Sequence, residues 1–316
     1  MFKRIISIAA AAALSLTCFA APSQAAWPER PVKFLLGSAA GSSIDTVGRL
    51  LADRLSKKFN QPFVPQNVTG GGNGALTMVL KNSPADGYTI SFGADSFFAF
   101  NSLVKGAQFK AEDFEYVAGV FSADAAWICT PDKPWKNLRE ALEWAKANNK
   151  TLVYQSQTRS DNLMTQMIAE EMGVKIDIVP AKGPSAIITS LLGNHCDLGY
   201  SGGLHYEQDR AGKIKTLTLN SPTPSIIFKD APLSKDQFKN VAPHRAVRVV
   251  VVPKGFPEDV RKVLEKALEE ICTSEDFNDL VLNKLHFIPE YQDSATATKE
   301  LMAYRDYWAG ILNAQK

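Results

Sequence analysis

Histidine and cysteine are both scarce in this chain, four of each in 316 residues. The histidines, His195, His205, His244 and His286, have no metal-ligand spacing with one another or with the cysteines, so no metal site or other cofactor is expected. Cys18 lies in the N-terminal apolar stretch. The remaining Cys129, Cys196 and Cys272 are odd in number and widely spaced, which excludes a disulfide framework. They read as buried free thiols, with a bridge between one pair left open. Net charge is nearly absent as well. Lys and Arg number 35 against 33 Asp and Glu, and the excess of two is Lys3 and Arg4. With no long basic run, nucleic acid is excluded as a partner. No G-x-S-x-G nucleophile motif occurs, although Gly199-Tyr200-Ser201-Gly202-Gly203 comes near. Acidic residues are scattered over helix faces, where solvation accounts for them. Without a catalytic constellation, the chain is not expected to be an enzyme.

Long apolar runs are confined to the start. In MFKRIISIAAAAALSLTCFAAPSQAAW, Lys3 and Arg4 precede an apolar run broken only by Ser7 and Ser15, and Ser23-Gln24-Ala25 or Gln24-Ala25-Ala26 supplies a small-x-small cleavage pattern. Residues 1–26 therefore read as a secretory signal peptide. A membrane anchor is the competing reading, but a spanning helix needs about 20 apolar residues, and this run is shorter and ends at Pro22. Ser15-Leu16-Thr17 is a poor lipobox for Cys18. The remaining chain of about 290 residues is too long for one small core and suggests two lobes.

Strand and helix patterns alternate. Short apolar runs at 32–36, 63–64, 88–92, 152–154, 176–179, 198–200 and 247–252 read as strands. Helical spacing appears over 45–59, 75–81, 138–148, 163–172, 186–192, 258–272 and 295–312. Such alternation predicts an α/β fold with parallel-rich sheets and helices on both faces. No Pro/Ser-rich linker and no convincing repeat separates the halves, so crossing strands are expected to join them.

Small or polar loops follow the strands. The first, Gly37-Ser38-Ala39-Ala40-Gly41-Ser42-Ser43, runs directly into a helix. Ser42 and Asp45 fit a capping box, which is reason enough for both. The accompanying Gly37, Ala39, Ala40 and Gly41 would also let a carboxylate or phosphate approach the unpaired amides of the helix N-terminus. A second stretch, Gly70 to Ala75, contains G-x-G-x-x-A, with Asp95 at the distance a dinucleotide site uses. Pro62 and Pro65 make the preceding run poor as a central strand, which argues against a nucleotide. Further loops carry Asp95, Ser96 and Phe97; Ser156, Thr158 and Arg159; Lys182 and Gly183; and Ser201. In open α/β sheets ligands bind outside the carboxyl ends of the strands, so two lobes bearing such loops would enclose a ligand.

Several segments occur in a familiar order: "WPERPV", "GSAAGSSID", "RLLADRLSKKFNQPFVPQN", "GGGNGA", "SPADGYTI", "VPAKGPSAIITSLLGNHCDLGYSG" and "VPKGFPEDVRKVLEKALEE". The chain resembles the Bug-type extracytoplasmic solute receptors, the periplasmic substrate-binding proteins of tripartite tricarboxylate transporters. The resemblance spans nearly all of the chain after residue 26. It implies a two-lobed Venus-flytrap fold, a periplasmic location, a small organic carboxylate as ligand and membrane transporter subunits as partners, with the protein itself a monomer. It also implies that backbone amides and small hydroxyls of the first-lobe loop, at Ala40, Gly41, Ser42, Ser43 and Asp45, hold the carboxylate. The family's usual Gly-Gly-Ser-Thr-Asp here reads Gly41-Ser42-Ser43-Ile44-Asp45, and Phe97 and Phe98 stand where small polar residues are usual. Phe97 could stack on an aromatic ligand or belong to the core. Arg159 could take a carboxylate in a two-pronged hydrogen bond or stand in solvent beside Asp161. The expected division is 1–26 signal peptide, 27–120 with 225–316 as the first lobe, and 121–224 as the second. An exported enzyme acting on a phosphorylated or nucleotide-like substrate, and a sensory ligand-binding protein, are the alternatives.

Overall fold

The structure, a computed structural model, describes residues 27–70, 74–156, 158–181, 183–241 and 243–314. The expected signal peptide, 1–26, lies outside them. Eleven strands form among these residues: β1 (Val32–Leu36), β2 (Phe63–Asn67), β3 (Thr89–Ala94), β4 (Phe114–Ala123), β5 (Ala125–Cys129), β6 (Leu152–Ser156), β7 (Ile176–Pro180), β8 (Leu198–Ser201), β9 (Lys215–Asn220), β10 (Ala246–Pro253) and β11 (Ile288–Gln292). They make a six-stranded sheet in the order β11-β4-β10-β3-β1-β2 and a five-stranded one in the order β7-β6-β8-β5-β9. Each sheet centres one lobe.

Parallel pairing is confined to β1 with β2 and β3, and to β6 with β7 and β8. The pairs around β4, β10 and β11, and around β5, are antiparallel. Both sheets are therefore mixed where the alternation predicts parallel-rich ones. The strand that re-enters the first lobe, β10, runs against β3, and the strand that enters the second, β5, runs against β8. Pro65 stands in β2, an edge strand paired on one side only, where a missing amide donor is tolerated.

The first helix, Ser43–Phe59, buries Ile44, Val47, Leu51 and Leu55 at helical spacing and stops at Asn60, which adopts a left-handed conformation. Its Gly48 stands against Leu36 and Phe92. On the opposite face of the sheet, Leu76 of the Gly74–Lys81 helix and Phe97 stand against Gly37 and Gly93. The sheet is thus covered on both sides, with its core between.

Two chain crossings join the lobes: Asp124, between β4 and β5, and residues 221–245, between β9 and β10. Phe238 and Val241, within the second of these crossings, pack among the core side chains of the second sheet. The long C-terminal helix, Ser294–Ala314, is shared. Ala297 and Leu301 belong to the first core, Trp308 belongs to the second, and Tyr304 touches both. Cys129, Cys196 and Cys272 are buried free thiols, and burial pushes the first two up to about 11.

Candidate functional site

The loop after β1 is organised by Asp45. This residue is 5 % exposed and sits at the third position of the first helix. Its carboxylate accepts from the Gly41 amide at 2.9 Å, from Arg49 Nε at 2.9 Å and from Asn67 Nδ2 at 2.8 Å, while its own amide donates to Ser42 Oγ at 3.2 Å. The Arg49 hydrogen bond, foremost, holds the carboxyl at about 2 against its ordinary 3.8, in spite of burial. Ser42 caps as expected. The reciprocal bond, however, goes to Gly41, one residue before the cap. Two of the small residues have causes of their own. A Cβ on Gly37 would lie 2.6 Å from Leu76 Cδ2 and 3.1 Å from the Phe97 ring, so glycine makes room for packing. Gly41 supplies φ 79°, which the turn requires.

The second-lobe counterpart is built differently. The helix Arg159–Met172 begins four residues before the predicted 163, and Thr158 is its cap. Thr158 and Asp161 form a complete capping box, and Asp161 also accepts from the Tyr154 hydroxyl at 2.6 Å. Asp161 is 1 % exposed and turned inward, so Arg159 does not pair with it. Arg159 occupies the first helical position, where the helix dipole is positive and disfavours a cation. Its guanidinium is exposed and makes no ion pair or hydrogen bond with any described residue.

Between the lobes lies a cavity of about 780 Å³. Met78, Phe97, Phe100, Val104 and Phe109 line it from the first lobe, and Ser156, Thr158, Arg159, Ser160, Asn162 and Ala181 from the second. Ser96 and Lys105 also reach it. Two cations, Arg159 and Lys105, and no acidic side chain stand among its described lining residues. Coulomb attraction in such a space favours an anion.

Of the residues singled out in the sequence, the cavity brings together Ser96, Phe97, Ser156, Thr158 and Arg159. It does not include Ala40, Gly41, Ser42, Ser43 or Asp45. Phe97 is both core and wall: 8 % exposed, packed on Gly37 and Gly93, yet lining the cavity. Asp95 is turned inward, accepting from the Ser96 and Val247 amides at 2.6 and 3.1 Å. His244 Nε2 lies 2.8 Å from Asp95 Oδ2 without hydrogen-bond alignment. Gly183, at φ 145°, precedes the Pro184–Leu192 helix beyond the cavity rim. Lys182 lies outside the described residues, as do Gly71, Gly72 and Asn73 of the glycine-rich loop.

Ser201 is 1 % exposed and bonds His205 Nδ1 at 2.9 Å, while His205 Nε2 meets Thr216 Oγ1 at 3.0 Å and Thr216 donates to Asp209 at 2.6 Å. The chain has the composition of a nucleophile relay, but both Ser201 and His205 are sealed from solvent. These bonds tie Ser201, the last residue of β8, through His205 to Thr216 of β9.

The sequence reading missed Met78, Phe100, Val104, Lys105 and Asn162. It also missed Arg248, a buried arginine on the other face of the first sheet. Among the described residues Arg248 donates to the Ala246 carbonyl, at 2.7 Å, stands over the Phe121 ring, leaves its Nε without a partner, and lies beside Gly202 of the second lobe.

Comparison with known proteins adds three findings. A family model described as "Tripartite tricarboxylate transporter family receptor" matches residues 47–312. A Cupriavidus necator protein described as "UPF0065 protein in gbd 5'region" is 27 % identical over 289 residues, covering 90 % of this chain and 88 % of its own. Among solved structures, a periplasmic transporter superposes with TM-score 0.80 at 24 % identity, covering 92 % of this chain and 99 % of its own. Rpa4515 of R. palustris with adipate gives TM-score 0.79 at 21 % identity, covering 91 % and 97 %. At these identities the superpositions speak for the fold, that of a two-lobed periplasmic binding protein.

Proposed function

The chain belongs to the tripartite tricarboxylate transporter receptor family, and from that premise we propose that it captures a small organic carboxylate in the cavity between its lobes and hands it to a membrane transporter. The observation that carries this reading is Arg159, a cation with no partner among the described residues, at the positive end of a helix, facing a cavity with no described acidic lining residue. No described residue pairs with the guanidinium there, and an anion would. Ser156 and Thr158 hydroxyls and Ser96 surround the same space. The adipate held by the R. palustris relative is an acid of this class. The family and the signal-peptide pattern of residues 1–26 both support a periplasmic location for that delivery. No helix among the described residues is long and apolar enough to cross a membrane, which suits a receptor that works at a membrane without entering it.

Thermal-shift titration against organic acids and their uncharged amides tests the reading. An acid at 100 times its dissociation constant stabilises by about 2.7 kcal/mol, and its amide leaves the melting temperature unchanged. Hydrogen bonds to charged groups are worth ~1.5–3 kcal/mol, so Arg159→Gln weakens the acid roughly 10- to 150-fold. Equal affinity of the variant and the parent protein for every acid would refute the assignment.

A further inference from the structure

The lobes also meet along a seam whose residues do not line the cavity, and its contacts do not all favour closure. Phe287 fills the space beside Gly203, and the His286 ring stacks on Tyr206 at 3.8 Å with its Nε2 2.9 Å from Glu207. These first-lobe side chains grip residues 203–207 of the second lobe. Arg248, also of the first lobe, meets the same segment one residue earlier. A Cβ on Gly202 would lie 3.7 Å from Arg248 Nη2 and within 4 Å of no other described residue beyond its chain neighbours.

Arg248 is 8 % exposed, and its guanidinium has few partners. It donates to the Ala246 carbonyl at 2.7 Å and stands 5.7 Å over the Phe121 ring, while Nε meets no acceptor among the described residues. It forms no ion pair with any of them. The charge of Asp95 acts on it, but that carboxylate is committed to the Ser96 and Val247 amides. An arginine stays charged when buried, and taking water from a charge that gains no counter-charge is unfavourable.

We propose that Arg248 opposes closure of the unliganded lobes: swinging residues 202–207 onto it strips water from an unpaired cation, and that offsets the gain from Phe287 and His286. A charged donor that loses water without gaining a partner shifts a two-state balance roughly 5- to 150-fold. A ligand held only by closed lobes then binds more weakly in proportion to the closed fraction. Arg248 thereby keeps the lobes parted until something binds between them. Glycine at 202 belongs to the same device, because a carboxylate at that position would answer the guanidinium and remove the opposition.

X-ray scattering of the purified protein without ligand, beside four variants, tests this. Arg248→Met keeps the bulk and removes the charge, so its radius of gyration falls below the parent's. Arg248→Lys keeps a buried cation and the parent's radius. Gly202→Asp leaves Arg248 in place and gives it a carboxylate partner, so this variant also compacts. Combining Gly202→Asp with Arg248→Met leaves the new carboxylate unpaired and returns the radius toward the parent's. An unchanged or larger radius in Arg248→Met would overturn the proposal, as would equal compaction by Arg248→Lys. A Gly202→Asp radius no smaller than the parent's, or a double variant as compact as Gly202→Asp alone, would overturn it too. The measurement uses no ligand, so any of these results leaves the carboxylate reading untouched.

Discussion

His205 shows how a polar residue can be kept neutral by what surrounds it. It is fully buried, stacked on Phe228 at 4.7 Å, and hydrogen-bonded to Ser201 and Thr216. Burial lowers its pKa from 6.5 to about 3. In the unfolded chain the imidazole takes up a proton below about pH 6.5, and in the folded protein it does not. The unfolded state then binds more protons, so stability falls as pH drops from 6.5 toward 3, by at most about 1.4 kcal/mol per pH unit from this group. Asp45 acts in the same direction lower down. Its contribution is complete above 3.8 and is lost as pH falls toward 2. Urea unfolding from pH 7 to pH 4 therefore shows a steadily decreasing midpoint, and His205→Gln flattens the decline. An unchanged slope in the variant would mean that other groups control the acid response.

At the scale of elements, the crossings are tied by one side chain. Arg245 Nε bonds Asp124 at 3.1 Å, and its Nη2 bonds Ser221 Oγ and Thr223 Oγ1 at 3.0 and 3.1 Å. It thus joins the outgoing crossing to the returning one just before β10. Asp124 is 2 % exposed, so Arg245→Met leaves a buried carboxylate unpaired and costs about 3 kcal/mol in urea unfolding. The double variant with Asp124→Asn recovers most of that loss. A loss that does not recover would assign Arg245 a packing role instead. Neither residue stands out in the sequence, because their pairing spans 121 positions. The βαβ segments were legible: β1, β3 and β6 with their helices carry local periodicity. Strands β4, β9 and β11 were not, since their partners are distant and little in their spacing marks them. The site divides in the same way. Polar loop residues such as Thr158 and Arg159 stand out in sequence, whereas Met78 and Val104 repeat at helical or core-like spacing and reveal their exposed side only once packed. Gly37 gave the opposite difficulty: a small residue read as room for a ligand turned out to be room for Leu76 and Phe97.

For the whole molecule, the lobes touch well beyond the crossings. His286 Nε2 meets Glu207 at 2.9 Å and its ring stacks on Tyr206 at 3.8 Å, while Phe287 fills the space beside Gly203. Phe100 packs on Trp308 at 5.1 Å within the second core. A hinge motion has to part these contacts while the C-terminal helix stays anchored in both cores, which limits how far the lobes separate. The strand order carries a consequence of another kind, about time. β10 lies between β3 and β4, yet it is made only after residues 124–245. Until it arrives, β3 and β4 have no neighbour on their facing edges. The second sheet, by contrast, is continuous in sequence from β5 to β9, and most of its buried core side chains fall between residues 127 and 241, with Phe100 and the C-terminal helix's Tyr304, Tyr307, Trp308 and Ile311 joining from outside. Pulse-labelled hydrogen exchange during refolding is expected to protect the amides of β5, β6 and β8 before those of β3 and β4; simultaneous protection would count against this order. As the chain is made amino end first, the second sheet can assemble while the first waits, its middle strand still to come.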